Sequence, residues 1–511
     1  MRARAAIILV LVIGLVFSVS LSGCKKGEAK PDTVVVGMSD DINSIDPHTN
    51  TLAPMDTSAL YPNLYDRFIT RGLDGSLQPE LVTSWENQSP TKWKMTLKQG
   101  VKFHNGEAFN AEVLKYNIER PNACGGLPKH PRMLAAKSVE IIDDYTVIVE
   151  SAAEDPLFLE SFCQYRAIPK AYIEEVGEEG FLAHPVGTGP YKFVEWKKGE
   201  YLTLEANPEY WKGAPKIQKL ILRVIPDAAT RLAALQAGDV NIALNLAYDQ
   251  VSTIAEDAEL RVETFPLSRC VYMEFFPTSP KGTGEPLADV RVRQAINYAI
   301  NVDDIIKYVL NGMGQRITVP SPVEAFGYNK DIQPYPYDPA KARELLAQAG
   351  YSNGFELKID VGTLGLASAY EVVDTIVSDL AKVGINATVN RVETAAYADL
   401  KVTTFGIAPF FLWQFNGYDV SYVLYKQIRS GQPWFYNPAW TAEWDELLDS
   451  EHFSFDQAHR ETILKEICQR LHDEAVFVPL FQPLATFGVV EALDWVPGPE
   501  GSVGMAEASF R

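Results

Sequence analysis

Pro185-Val186-Gly187-Thr188-Gly189-Pro190-Tyr191, with Asn207-Pro208-Glu209-Tyr210-Trp211 and Ala237-Gly238-Asp239-Val240-Asn241 further along, is the stretch from which the fold is read. In the first block two glycines allow backbone conformations closed to other residues, and Pro190 stiffens the turn into a strand starting at Tyr191. Tyr210 and Trp211 are large apolar anchors expected in a core. In the third block Gly238 ends a helix whose Leu232 and Leu235 point inward.

Outward from this stretch, strands and helices alternate. Thr33-Val34-Val35-Val36-Gly37 is a β-branched run that enters a sheet, and Trp93 to Leu97 and Thr146 to Glu150 alternate apolar with polar residues. Asp338-Pro339 is a capping residue followed by proline at the first helical position, with Gly350 at the far end. Val372, Val373, Ile376, Val377 and Leu380 share one helical face before Gly384, and the strand Asn386 to Val389 follows at once. The pattern is that of an α/β protein.

The chain has 511 residues, 47% of them hydrophobic, so more than one core is expected. Its formal charge of −20 is spread along the chain, which excludes nucleic acid and anionic lipid headgroups as partners. Arg2 and Arg4, an apolar run from Ala5 to Val19 and Leu21-Ser22-Gly23-Cys24 read as a signal ending in a lipobox-like tetrad, with Cys24 the lipidated first residue of the mature chain. Residues 24–31 form a polar linker. No Cys or His spacing suggests a metal, and nothing calls for a cofactor. Cys124 and Cys163 are the closest remaining cysteine pair, either bonded outside the cytoplasm or free.

Beyond the opening stretch, Leu81-Val82-Thr83-Ser84-Trp85-Glu86, Lys98 to Val113, Asp289-Val290-Arg291-Val292-Arg293-Gln294-Ala295, the Asp338 helix and Lys382-Val383-Gly384-Ile385 occur in order. Together these blocks resemble the family 5 extracellular solute-binding proteins, the peptide and nickel class of ABC importer components, over nearly the whole chain. The resemblance implies a two-lobed, type II periplasmic-binding fold with an extra subdomain in lobe one. Lobe one then takes residues 32–60, 186–270 and 478–511, with the inserted subdomain at 61–185 and lobe two at 271–477, after a signal at 1–23. It implies a monomer, anchored by lipid in the periplasm or at the cell surface, that closes on a small solute and docks on permease subunits.

In peptide-binding members a Trp followed three residues later by an Asp receives the ligand's ammonium. The matching stretch here supplies Trp413 but Asn416, which brings no charge, and Asp419 stands three residues beyond. Phe415 and Tyr418 belong to the same aromatic-rich region, with Tyr422, Tyr425, Trp434, Phe435, Tyr436 and Trp440. His48 and Thr49, in the loop Asp46 to Asn50, lie where family members contact ligand, and Arg391 is placed to meet a carboxylate or to form a surface ion pair. The expected ligand is a peptide or similar solute, with an oligosaccharide as the alternative. No HExxH, GxSxG, P-loop or Rossmann pattern supports an enzyme, which leaves a motif-free glycosidase or a surface sensor as the rival readings.

Overall fold

The computed structural model describes residues 32–49, 57–123, 135–282, 284–363, 366, 368–402, 407–432 and 437–511. Cys24, Cys124, Trp434, Phe435 and Tyr436 lie outside these residues, as do the side chains of Phe415 and Asn416.

The β-branched run near the start becomes the strand Thr33–Met38, parallel to Lys219–Val224 and Ile242–Leu244. In the later half, Phe355–Val361 lies between Ile385–Arg391 and Phe410–Asn416, parallel to both. Helices begin where side chains cap them. Asp227 accepts from the Thr230 amide ahead of the helix Ala228–Ala237, which ends at Gly238 with φ +77°. Asp338 accepts from the Ala340 and Lys341 amides ahead of Pro339–Gln348. The helix Ala369–Ala381 buries Val372, Val373, Ile376 and Leu380.

Three main cores organise the chain. Val34, Leu64, Leu204, Leu222 and Phe487 belong to one, and Met273, Ile296, Ile359, Val373 and Phe410 to another. The third, built of residues from Phe68 to Ala167, packs against an antiparallel sheet of Val82–Ser89, Lys92–Leu97, Thr146–Ser151 and Ala136–Asp143.

One twelve-stranded sheet runs through the first two cores. Its continuity depends on the long strand Phe477–Val490. That strand pairs first with Arg269–Phe275 and Gly314–Arg316, then with Leu260–Pro266 and Ile242–Leu244. The change of partners falls at Phe481 to Leu484, a few residues beyond the crossing expected near 478. There Leu267 N donates to Pro483 O at 3.0 Å, and Gln482 Nε2 donates to Leu267 O at 2.9 Å.

The Pro185–Tyr191 block works differently from the reading above. Neither Gly187 nor Gly189 has a positive φ. Both are small because the backbone of Leu64 presses on them: a Cβ on Gly187 would lie 1.9 Å from Leu64 O, and one on Gly189 2.5 Å from Leu64 C. His104 clamps the same turn. Its Nε2 donates to Gly189 O at 2.9 Å, and its Nδ1 accepts from Gly187 N at 3.2 Å. Burial holds that imidazole neutral, its pKa lowered to about 4. Tyr210 and Trp211 are more than apolar anchors, since Tyr210 Oη and Trp211 Nε1 donate to the two oxygens of Asp66 at 2.7 and 2.8 Å.

Of the cysteine pair considered above, Cys124 lies outside the described residues and Cys163 within them. It is a free, fully buried thiol in the third core, and burial pushes its pKa up to about 12.

Candidate ligand-binding cleft

The third core and the part of the chain after Phe410–Asn416 meet at one junction, taken here as the candidate cleft. The turn after Ile69–Arg71 reaches across it, where a Cβ on Gly75 would meet Glu324 O at 3.0 Å and Tyr418 Cδ1 at 3.2 Å. The Arg71 guanidinium lies 4.5 Å from the Tyr418 ring centroid. Further out, Trp93 and Phe455 rings approach to 6.3 Å.

Arginines gather on the near wall. A β-bridge joins Arg67 to Arg166. Arg67 Nη1 meets Glu500 Oε2 at 2.5 Å, and Arg71 pairs with Glu160 and, at 3.5 Å, with Glu500. Arg166 pairs with no carboxylate among the described residues. Its guanidinium lies 4.8 Å from the Tyr61 ring centroid, and its buried Nε has no hydrogen-bond partner. Burial, then Arg67, pull its pKa down to about 9. A cation desolvated without a counter-charge is costly, and an anion beside it would offset that cost. On the far wall the buried Tyr418 hydroxyl also lacks a partner among the described residues, and burial pushes its pKa well up.

The sequence-expected residues fall into two groups. Tyr418 faces the cleft, and Trp413 is partly buried, its ring 5.9 Å from that of Tyr397 and 4.1 Å from Lys401 Nζ. Lys401 in turn is buried in an ion pair with Glu274, and burial lowers its pKa to about 8. The backbone of Asn416 pairs with Arg269 at the strand end, and that of Phe415 with Cys270.

The others are occupied elsewhere. Asp419 is buried, caps the helix Val420–Ile428 through Ser421 N, and is paired with Arg460, so it is not free to replace the missing carboxylate at 416. His48 is buried and its Nε2 donates to the backbone Arg166 O at 2.9 Å. Burial lowers its pKa to about 4. The Thr49 hydroxyl is engaged with Ser44 and Asp46 within its own turn. Arg391 is half-exposed and pairs with Asp374 at 2.7 Å, the surface ion pair expected as one of its two alternatives. The grouping of Arg166, Arg71 and Glu500 was not legible in the sequence, because they are isolated along the chain and meet only in the fold.

These features are those of a two-lobed α/β fold. Residues 76–435 match the bacterial extracellular solute-binding proteins, family 5, and the chain belongs to that family. The glutathione-binding protein GsiB of Pectobacterium atrosepticum is 31% identical over 382 residues, 72% of this chain and 71% of that protein. Heme-binding protein A of Haemophilus influenzae is 30% identical over 446 residues, 80% of each. Among solved structures, HbpA2 from Haemophilus parasuis has a TM-score of 0.84 at 22% identity, covering 94% of this chain and 100% of that one. NikA from Brucella suis, in complex with Fe(III)-EDTA, has a TM-score of 0.80 at 24% identity with the same coverage. The fold is thus the type II periplasmic-binding fold. The family's members bind small solutes outside the cytoplasm and deliver them to ABC permeases.

Proposed function

We propose that this protein is the lipid-anchored binding component of an ABC importer and captures a small, carboxylate-bearing, peptide-like solute between its lobes. The lobes are taken as 32–270 with 478–511, and 271–477, with the third core as the insertion at 61–185. The observation that carries the reading is a pair of buried polar atoms without a hydrogen-bond partner among the described residues, Arg166 Nε and the Tyr418 hydroxyl. A carboxylate accepts from both, and each wall then gains a partner only when the lobes hold the same ligand. Trp413 offers a ring face to the rest of the solute. The relatives' names support the chemistry, because glutathione and heme both carry carboxylates.

Native mass spectrometry of the purified protein identifies the co-purifying solute, and calorimetry with that solute tests the site. Arg166→Met is expected to weaken binding about a hundredfold, from loss of a charge-assisted contact in a desolvated site. Unchanged affinity in Arg166→Met would reject the carboxylate reading. For the anchor, Cys24→Ser releases the protein from membranes, and a variant still firmly bound contradicts lipidation.

A further inference from the structure

The turn Pro499–Gly501 carries an oddity that packing alone does not require. Glu500 has φ +61° and ψ +19°, the left-handed region that favours glycine, although glycine stands next door at Gly501. Retaining a charged side chain in that conformation points to a role for the side chain. The turn is seated on the hinge strands, since a Cβ on Gly501 would touch Phe487, Ala485 and Phe265 at 3.8 to 4.0 Å. From there the Glu500 carboxylate reaches Arg67 at 2.5 Å and Arg71 at 3.5 Å. Arg71 also holds Glu160, and Glu80 is engaged by Lys212 and by the Arg67 amide. Arg67 and Arg71 are therefore each paired with a carboxylate, whereas Arg166 forms no salt bridge among the described residues.

We propose that Glu500 is a specificity-determining residue: its carboxylate stands inside the arginine cluster as a built-in anion, so the cleft accepts a singly charged anionic group at Arg166 and rejects multiply charged ones. This rests on the anion-binding reading of Arg166. A dianion entering beside Arg166 meets the Glu500 charge across the shared arginines, whereas a monoanion meets a weaker repulsion that its contact with Arg166 offsets. Glu500 also acts electrostatically on Arg67, Arg71, Arg166 and Tyr418, which places its charge centrally among the cleft groups.

The test compares thermal stabilisation by sodium acetate and by inorganic phosphate, at equal ionic strength and mildly alkaline pH, for the full chain. The unmodified protein should be stabilised by acetate and respond to phosphate only at concentrations about tenfold higher. Glu500→Gln should respond to phosphate at concentrations about tenfold lower than to acetate, as expected when a like-charge repulsion is removed. Adding Arg166→Met should abolish that preference, and Glu500→Asp, which restores the charge, should return the original pattern. If Glu500→Gln keeps the preference for acetate, or if Glu500→Asp behaves like Gln, the proposal is overturned. Arg166→Met alone bears on the carboxylate site itself, so loss of this proposal leaves that one standing.

Discussion

Arg460 Nη2 lies 3.1 and 3.0 Å from the two oxygens of Asp419 and 3.4 Å from Glu451 Oε2, with all three side chains buried. One guanidinium thus serves two carboxylates beneath the far wall of the cleft. Arg460→Met strands both. The expected cost at pH 8 is about 3–5 kcal/mol, and it shrinks at pH 5 as the carboxyls take up protons. Denaturant unfolding at the two pH values measures it, and an equal cost at both would show that the carboxylates do not depend on Arg460.

Glu451 itself gives a pH signature. Burial raises its pKa to about 7, and that of Asp419 to about 6, while His452 is lowered to about 4. A carboxyl with a raised folded pKa stabilises the fold below its unfolded value of about 4.3, and this contribution is lost as pH rises through about 7. Glu451→Gln retains an acceptor for Ser421 without the charge. Its melting temperature relative to the unmodified protein should therefore climb between pH 5 and pH 8. Parallel curves would mean that Glu451 is not the titrating group.

Gly187 is constrained by space. Gly187→Ala drives a methyl into the Leu64 carbonyl and should cost more than about 3 kcal/mol or prevent folding, as overpacking against backbone does. Gly199→Ala, with open space but φ +77°, should cost only about 1 kcal/mol. The contrast in urea midpoints decides whether close approach is the reason.

Trp413→Ala should weaken solute binding by about 2 kcal/mol. Asn416→Asp should raise affinity for short zwitterionic peptides, because a carboxylate offsets the desolvated ammonium that an amide cannot. Calorimetry with a dipeptide series tests both. Tight dipeptide binding by the unmodified protein would show that another acid fills that role, and Asp419 is already committed to Arg460.

The sequence made the alternation of strands and helices readable because caps and periodicity are local. Asp227, Asp338 and Gly238 act within one turn of their helices, so their roles could be assigned from neighbours alone. The site was readable only in part. Tyr418 and Trp413 stand in a contiguous motif that sequence can single out, but the Arg67, Arg71, Arg166 and Glu500 cluster joins residues brought together by three separate chain passages. Asp419 illustrates the opposite failure: spacing made it look available, and its partner is 41 positions away. Gly187 was recognised as necessary for the wrong reason, since a steric clash with a distant backbone leaves no mark in sequence.

The strand Phe477–Val490 is hydrogen-bonded along its length to strands of both lobes. Relative movement of the lobes must then twist a continuous sheet. Such a joint behaves as a torsion spring with a rest angle, in contrast to a slack tether. Amide protons of Phe481, Gln482 and Leu484 should consequently exchange among the slowest in the molecule, although they sit where any movement of the lobes would be absorbed.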